Sequence, residues 1–186
     1  RTLTMEDAEA ISQQVPYISA LAPSYTSNLQ LVVGSQNTNS QVNGVTPEYI
    51  SINNTKIAIG TFFSEPDYQS GAKVAVLGSN VAQTLFGSDN PIGQQMRMGS
   101  IILNVIGVLE SKGAGFSSPD DSVYIPLTAM QQAVAQPRTP QGDRIVSTIT
   151  LTVSDQSQTQ NVIDAITSLL RTRHYLAASA DNDFSI

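Results

Sequence analysis

Two segments of the chain repeat apolar residues every three or four positions, which is typical of helices with one buried face. The first begins after Thr4, whose side chain is a suitable N-cap, and ends before Pro16, which has no backbone N–H to continue a helix. The second extends from about residue 156 to residue 173. The apolar positions are Met5, Ala8, Ile11 and Val15 in the first segment, and Val162, Ile166, Leu169 and Leu170 in the second.

Other segments show the patterns of strands. Residues 148–153 alternate threonine with isoleucine, leucine and valine, which predicts a half-buried strand. Residues 18–34 and 40–45 are expected to form a hairpin around the turn-rich residues 35–39. The valine-rich stretch 73–78 predicts a buried strand, and residues 95–98 and 101–109 predict a strand pair around Gly99.

Shorter elements fill the middle of the chain. Ser79 is expected to cap a helix over residues 80–86 that closes at Gly87, and Pro126 to open a helix reaching about residue 135. Residues 122–125 predict a further strand. Asp155 and Gln158 have the spacing of a capping box before the last helix. The order of helices and strands predicts an α+β fold with a mixed sheet.

Charge excludes several partner classes. The 186 residues contain 9 Lys and Arg against 15 Asp and Glu, and the net charge is −6. Such a chain cannot form a continuous cationic track along phosphates, so we expect no nucleic-acid partner. The same balance disfavours binding to an anionic lipid surface. The chain has no cysteine, which excludes disulfides and thiolate metal sites.

No apolar stretch is long enough to span a bilayer, which takes about 20 residues. The best candidate, residues 101–109, is interrupted by Asn104 and Gly107. The first residues have neither an initiator methionine nor the features of a signal peptide. We therefore expect the chain to be a piece of a larger protein.

Candidate catalytic groups are few. His174 is the only histidine, and a Ser–His–acid triad would have to use it. Its place beside Arg171 and Arg173 instead predicts a cation that complements the negative end of a helix. Two pairs of carboxylates, Glu65 with Asp67 and Asp120 with Asp121, are typical of exposed turns.

Ligand motifs are equally sparse. The sequence Asp181-Asn182-Asp183 is similar to the start of a calcium loop but lacks its glycine, which predicts a solvated polar tail. The segment around Gly113 and Gly115 lacks the third glycine and the following helix that a phosphate-binding loop needs. No cofactor is expected.

The motifs, read in order, resemble the extracytoplasmic core domain of MacB-like ABC-transporter permeases. Their residues are Leu3-Thr4, Glu6-Asp7-Ala8 and Ile11; Gly44, Pro47 and Tyr49; Gly60, Phe62, Phe63 and Asp67; Val74 to Gly78; Ala82 and Leu85-Phe86-Gly87; Pro91 and Gly93; Val105 to Leu109; Asp120-Asp121 and Val123 to Pro126; Leu169-Leu170-Arg171, Arg173 and His174; and Asp183 to Ile186. Thr61 departs from the pattern, since many relatives carry arginine there.

The resemblance implies a domain of two parts. Residues 1–51 and 145–186 would form a porter-like βαβ half, and residues 52–144 an inserted Sabre-like half. Gly60, Gly78, Gly87 and Gly93 would supply backbone conformations that a Cβ atom disfavours. The aromatic residues Tyr49, Phe62 and Phe86 would be anchors in the core or at the junction of the halves.

The same resemblance implies a function without catalysis. The domain would lie outside the bacterial cytoplasmic membrane, in a periplasm or at the cell exterior, and would transmit ATP-driven motion of transmembrane helices. Its partners would be those helices, an ABC ATPase domain or subunit, a second permease copy and an adaptor protein. Phe116, an aromatic residue in a Gly/Ser-rich loop, is a candidate partner contact.

Two other function classes remain open. A secreted hydrolase or ligand-binding module would need carboxylates that converge in an acidic cleft with raised pKa values. A calcium-stabilised adhesive domain would lose thermal stability when the metal is chelated.

Overall fold

The computed structural model describes residues 3–112, 119–133 and 138–186. By their contacts, the residues divide into two compact units. Unit 1 contains residues 1–23 and 136–186, and unit 2 contains residues 24–135. Within the described ranges no helix is long and apolar enough to cross a membrane, and the longest has 15 residues.

The elements follow one another in a mixed order. They are α1 (Met5–Gln14), β1 (Ile18–Val33), β2 (Gln36–Val45), α2 (Tyr49–Ile52), β3 (Ile57–Gly60), α3 (Glu65–Ser70), β4 (Val74–Leu77), α4 (Ser79–Phe86), β5 (Gln95–Met98), β6 (Ile101–Leu109), β7 (Ser122–Pro126), α5 (Leu127–Ala133), β8 (Thr148–Val153) and α6 (Thr159–Arg173).

Unit 1 is built from both ends of the chain. Helices α1 and α6 pack together through their apolar faces, and β8 pairs with β1, the strand whose later residues continue into unit 2. The Ser19 hydroxyl donates to the Thr152 carbonyl across this pair. The core residues of unit 1 are Ile11, Val15, Val162, Ile166 and Leu170. Both predicted amphipathic helices therefore bury the faces that their periodicity indicates.

Unit 2 contains a closed ring of strand pairings. Strand β1 pairs with β2, then β2 with β7, β7 with β4, β4 with β6, β6 with β5, and β5 again with β1. The β2–β7 and β4–β6 pairs are parallel and the others antiparallel, so the sheet is mixed. Strand β3 adds to β6 from outside the ring. The α+β class with a mixed sheet is confirmed.

Several local predictions are wrong in informative ways. The hairpin loop is not residues 35–39: Val33 pairs with Gln36, and Gly34, at φ +57°, makes a two-residue turn with Ser35. The polar residues that follow belong to β2, since strand pairing satisfies their backbone groups equally well. Ser79 is not a cap, because the N-cap of α4 is Gly78 and no side chain caps that helix.

The start of the last helix also differs from the prediction. Asp155 accepts hydrogen bonds from the amide and hydroxyl of Ser157 and so caps a short 3₁₀ turn over Gln156–Gln158. Helix α6 begins only at Thr159. A capping side chain selects the nearest free N–H groups, so the same residue can start either kind of helix.

Two glycines are required for different reasons. Gly60 has φ +79°, and a Cβ placed on it would lie 2.1 Å from the Ile106 carbonyl oxygen. Gly78 has an ordinary φ of −64°, so the prediction of a special backbone conformation is wrong there. Its Cβ would instead lie 2.1 Å from the Pro119 carbonyl oxygen. Close approach of two backbones therefore explains Gly78.

The compact units differ from the porter-like and Sabre-like ranges. Residues 24–51 belong to unit 2, because this part of β1 pairs with β2 and β5, and β2 pairs with β7. The compact units are defined by contacts within this chain, whereas the porter-like and Sabre-like ranges are implied by the family resemblance, so the two divisions need not coincide. The assignment of residues 1–51 and 145–186 to one half and 52–144 to the other stays a prediction.

Replacing Gly60 with alanine should be more costly than the same change at Gly99. Both residues have positive φ, +79° and +60°, but a Cβ at Gly99 meets nothing within 4 Å. We expect Gly99→Ala to lower the free energy of unfolding by about 1 kcal/mol through backbone strain alone. Gly60→Ala should lower it by about 3 kcal/mol or more, since the Cβ also displaces a carbonyl. Urea unfolding measures both, and equal losses would contradict the close contact with Ile106.

Candidate functional site

A buried cluster of charged side chains surrounds His174 in unit 1. The ring is 6% exposed; its Nε2 lies 2.9 Å from Asp7 Oδ2 and its Nδ1 2.8 Å from Asp183 Oδ1. Arg173 Nε donates to Asp7 Oδ1 at 2.8 Å. We call Asp7, Arg173, His174 and Asp183 the His174 cluster. It connects the first helix with the end of the last helix and the C-terminal tail, and the first helix is remote in sequence from the other two.

The start of α1 orients Asp7. The amide of Asp7 donates to Thr4 Oγ1 at 3.0 Å, and the Thr4 amide donates to Asp7 Oδ2 at 3.2 Å, which is a reciprocal capping box. Asp7 is only 2% exposed. Its carboxylate is further stabilised by the positive end of the helix dipole. The cap therefore holds a buried carboxylate in one orientation.

The end of α6 delivers His174. The Leu176 amide donates to the Arg171 carbonyl at 2.9 Å and the Tyr175 amide to the Thr172 carbonyl at 3.2 Å, the two bonds of a Schellman motif. Tyr175 takes the left-handed position with φ +55°, where glycine is usual, at a cost of about 1 kcal/mol. This turn sends the chain back past the helix end.

The returning tail is bonded to α6 at several points. Arg171 donates from Nη1 to Asn182 Oδ1 at 2.7 Å and from Nη2 to the Ala177 carbonyl at 2.6 Å. The Phe184 ring meets the His174 ring edge to face, with centroids 6.0 Å apart. These contacts hold Asp183 against the ring, so the prediction of a solvated polar tail is wrong for this residue.

The two carboxylates fit the imidazolium form of the His174 ring. A neutral imidazole has one donor and one acceptor nitrogen, whereas both ring nitrogens here face carboxylate oxygens. Only the imidazolium ion donates to both. Its charge and that of Arg173 then balance the charges of Asp7 and Asp183, which buried ionic groups require.

The neighbouring His174 ring changes the pKa of Asp183. Burial would raise its pKa, but the hydrogen bond from His174, the positive charge of that ring and smaller contributions from other groups together lower the pKa of Asp183. A general acid would need the opposite shift. His174 likewise has no ring nitrogen left to activate a serine, since both are engaged by aspartates. The His174 cluster is therefore a structural ion cluster rather than a catalytic triad.

The carboxylates of Asp120 and Asp121 bond to neighbouring segments of unit 2. Asp120, 3% exposed, accepts hydrogen bonds from the Ser111 hydroxyl at 3.0 Å and the Lys112 amide at 2.9 Å. Asp121 accepts one from the Asn80 side chain at 2.9 Å. These bonds attach the segment before β7 to its neighbours.

The other pair of carboxylates, Glu65 and Asp67, belongs to helix α3. Asp67 completes the capping box with Ser64, and Glu65 accepts from Gln69. Among the described residues, no group of three or more His, Asp or Glu side chains is arranged to hold a metal ion.

Of the aromatic residues of the resemblance, Phe86 is buried in unit 2, and Tyr49 and Phe62 are partly buried and pack against the core of that unit. The Tyr49 hydroxyl donates to the Tyr124 hydroxyl at 3.2 Å, and the Tyr49 ring stacks near Phe62. Burial raises the pKa of both tyrosines, so they remain protonated. Phe86 is 7% exposed. Phe116 lies outside the described residues, and its role as a partner contact stays a prediction.

Sequence reasoning named the members of the His174 cluster without connecting them. Three of the segments that carry the resemblance, around Asp7, Arg173-His174 and Asp183, supply all four residues. The sequence features that could have pointed to the cluster are a charged residue in each of these short segments and the single histidine of the chain. Nothing in their spacing says that they meet.

Comparison with known families agrees with that resemblance. A family model described as "MacB-like periplasmic core domain" matches residues 1–169. Curated relatives named macrolide export ATP-binding/permease protein MacB include those from Bdellovibrio bacteriovorus, 32% identical over 97% of this chain, and Chlorobaculum tepidum, 34% identical over 98%. The chain spans 27% of the length of each of these two relatives.

Solved structures show the same fold. The periplasmic region of MacB from Actinobacillus actinomycetemcomitans superposes with a TM-score of 0.80 at 26% identity, covering 94% of this chain and 76% of that one. The extracellular domain of the ABC-type transporter YknZ from Gram-positive bacteria gives a TM-score of 0.79 at 20% identity, covering 94% and 85%.

Replacing Asp183 with asparagine should destabilise the chain in a pH-dependent way. At pH 6 we expect Asp183→Asn to lower the free energy of unfolding by about 1 to 3 kcal/mol, because the imidazolium loses a charged acceptor. The folded pKa of Asp183 lies below the unfolded value of about 3.9, so its contribution is complete above that pH. The difference between variant and wild type should therefore shrink as the pH falls below about 4.

The matched control is Asp181→Asn, two residues away on the exposed tail. Urea unfolding of both variants across pH 3 to 7 measures the effect. An equal loss in the two variants, or a loss at Asp183 that is the same at every pH, would contradict the ion pair with His174.

Proposed function

This chain belongs to the family of MacB-like periplasmic core domains, and from that membership we propose that it is the extracytoplasmic domain of an ABC-transporter permease. In this role it passes the ATP-driven motion of transmembrane helices to a substrate or an adaptor protein outside the membrane. ATP hydrolysis belongs to a nucleotide-binding domain or subunit, and the domain itself makes and breaks no bonds. The working transporter contains two copies of the permease.

The observation that carries this proposal is the His174 cluster. It bonds the first helix, which follows the N-terminal end of the chain, to the tail that leads to the C-terminal end. If both ends continue into transmembrane helices, a displacement of either helix reaches unit 1 through segments that are bonded to the same imidazole ring. A transmitting domain needs that connection, because a loosely held segment would absorb the motion.

The secondary bonds of the two segments support the same role. Arg144 lies 3.5 Å from Glu6 through its Nε, and its amide donates to the same carboxylate at 3.1 Å. Arg171 holds the tail at Asn182 and Ala177. Each terminal segment is thus bonded through charged groups at more than one residue, which resists rotation about a single contact.

Loss of the Asp183–His174 bond should uncouple the transporter. In the full permease we expect Asp183→Asn to reduce export several-fold while basal ATP hydrolysis continues, because the nucleotide-binding domains are untouched and only transmission is weakened. Asp181→Asn should export like the wild type. Export and hydrolysis are measured on the same vesicles, together with the amount of permease and its resistance to protease.

Three results would contradict the proposal. One is normal export by the Asp183→Asn transporter, and another is an equal loss of export and hydrolysis in a well-folded variant. The third is a parent gene that encodes no hydrophobic helices on either side of this chain.

A further inference from the structure

A cavity of about 350 Å³ lies beside the His174 cluster in unit 1. Its wall includes Arg173 and His174 from the end of α6, and Arg138, Gln141 and Asp143 from the segment before β8. Cavities of 300 Å³ or more are large enough for small ligands. The hydrogen bonds among Asp7, Arg173, His174 and Asp183 explain why these side chains meet, but they do not explain why a cavity lies beside them.

Arg173 has unused hydrogen-bonding capacity at this cavity. Its Nε donates to Asp7, and its other four N–H groups have no hydrogen-bond partner among the described residues. The side chain is 31% exposed, so the guanidinium is partly withdrawn from water. Asp7 holds the Nε side of the group, which leaves the two terminal nitrogens available to a ligand.

Arg138 provides a second guanidinium on the same wall. Its Nη1 donates to the Gly142 carbonyl at 2.8 Å, which ties the side chain to its own loop. Within the described ranges its remaining N–H groups have no partner either. The loop is closed by bonds between Thr139 and Asp143: the Thr139 amide donates to the Asp143 carbonyl, and the Asp143 amide donates to the Thr139 hydroxyl.

The unpaired N–H groups of the wall favour an anion. The imidazolium is already balanced by Asp183 and Arg173 by Asp7, so the charges around the cavity cancel, and the attraction for an anion comes from the guanidinium N–H groups that have no partner among the described residues. Asp143 would repel a multiply charged ligand more than a singly charged one. Arginine forks bind carboxylate and phosphate oxygens in a bidentate manner.

We propose that this cavity is a binding site for a small ligand bearing a singly charged oxyanion, a carboxylate or a phosphate, held between Arg173 and Arg138. The ligand would occupy the terminal nitrogens of Arg173 while Asp7 retains the Nε. Because the site rests on the geometry of unit 1 alone, it does not depend on the role of the domain in transport.

The test is a titration of the 186-residue chain with sodium acetate and, separately, with sodium phosphate at pH 6, where phosphate is chiefly a monoanion. Ionic strength is held constant with sodium chloride, and backbone amide shifts are followed by NMR. We expect saturable shifts at Thr139, Gln141 and Gly142 with a Kd of about 1 to 10 mM for the better probe, as suits a few charge-assisted hydrogen bonds. The tighter probe identifies the ligand class.

Variants locate the site. Arg138→Gln should weaken binding at least fivefold without lowering the melting temperature, since Arg138 is exposed and lies outside the His174 cluster. Arg97→Gln removes the same charge from an exposed position of β5 and should leave binding unchanged. Arg173→Lys keeps a cation beside Asp7 but removes the fork, so it should weaken binding even where the chain remains folded.

Three outcomes would overturn the proposal. They are shifts that stay linear up to 50 mM of both probes, equal weakening by Arg138→Gln and Arg97→Gln, and unchanged affinity in a folded Arg173→Lys variant. None of these results bears on export by the full permease.

Discussion

In the His174 cluster the negative charges of Asp7 and Asp183 lie against the positive charges of Arg173 and His174. The association of the terminal segments in unit 1 depends on this balance of charge. Removing one partner of a fully buried ion pair such as Asp7 with His174 typically costs about 3 to 5 kcal/mol, because the other charge is left uncompensated, and the more exposed Asp183 contributes less. Asp7 is the most constrained member, since a helix cap, a guanidinium and an imidazole all bond to it. An arrangement that misplaced any of these segments would bury an unpaired charge.

The two units are stabilised in different ways. Unit 2 relies on backbone pairing: its strands close into a ring, which leaves no free edge among the six strands that form it. Close approaches at Gly60 and Gly78 and the tyrosine pair pack its interior. Unit 1 has fewer strands and joins two distant parts of the chain. Charged side chains therefore contribute more than backbone pairing does to determining which of its segments meet. For a domain proposed to carry motion, that is where a connection between the ends is needed.

The sequence correctly predicted the helices and strands that have a cap, a periodic apolar pattern or a turn residue within their own few residues. Helix α1 has a capping threonine and a periodic apolar face, β8 alternates threonine with apolar residues, and β5 and β6 flank a glycine turn. Strand β3 and helix α3 were not predicted. Strand β3 is only four residues long and has three exposed positions, so it carries no alternation, and its pairing with β6 is what makes it a strand.

Whether a feature could be predicted from the sequence depends on how far apart in the chain its interacting residues are. Caps, periodicity and turns act over a few residues, and the ordered motifs are specific enough to indicate the family, so the helices, most strands and the α+β class could be read from the amino acids. The meeting of Asp7 with His174 spans 167 positions. No local preference encodes such a distance, because it results from the packing of α1 on α6 and the return of the tail. Tertiary structure alone therefore turned a helix-end histidine and a polar tail into one buried ion cluster, with a cavity at its side.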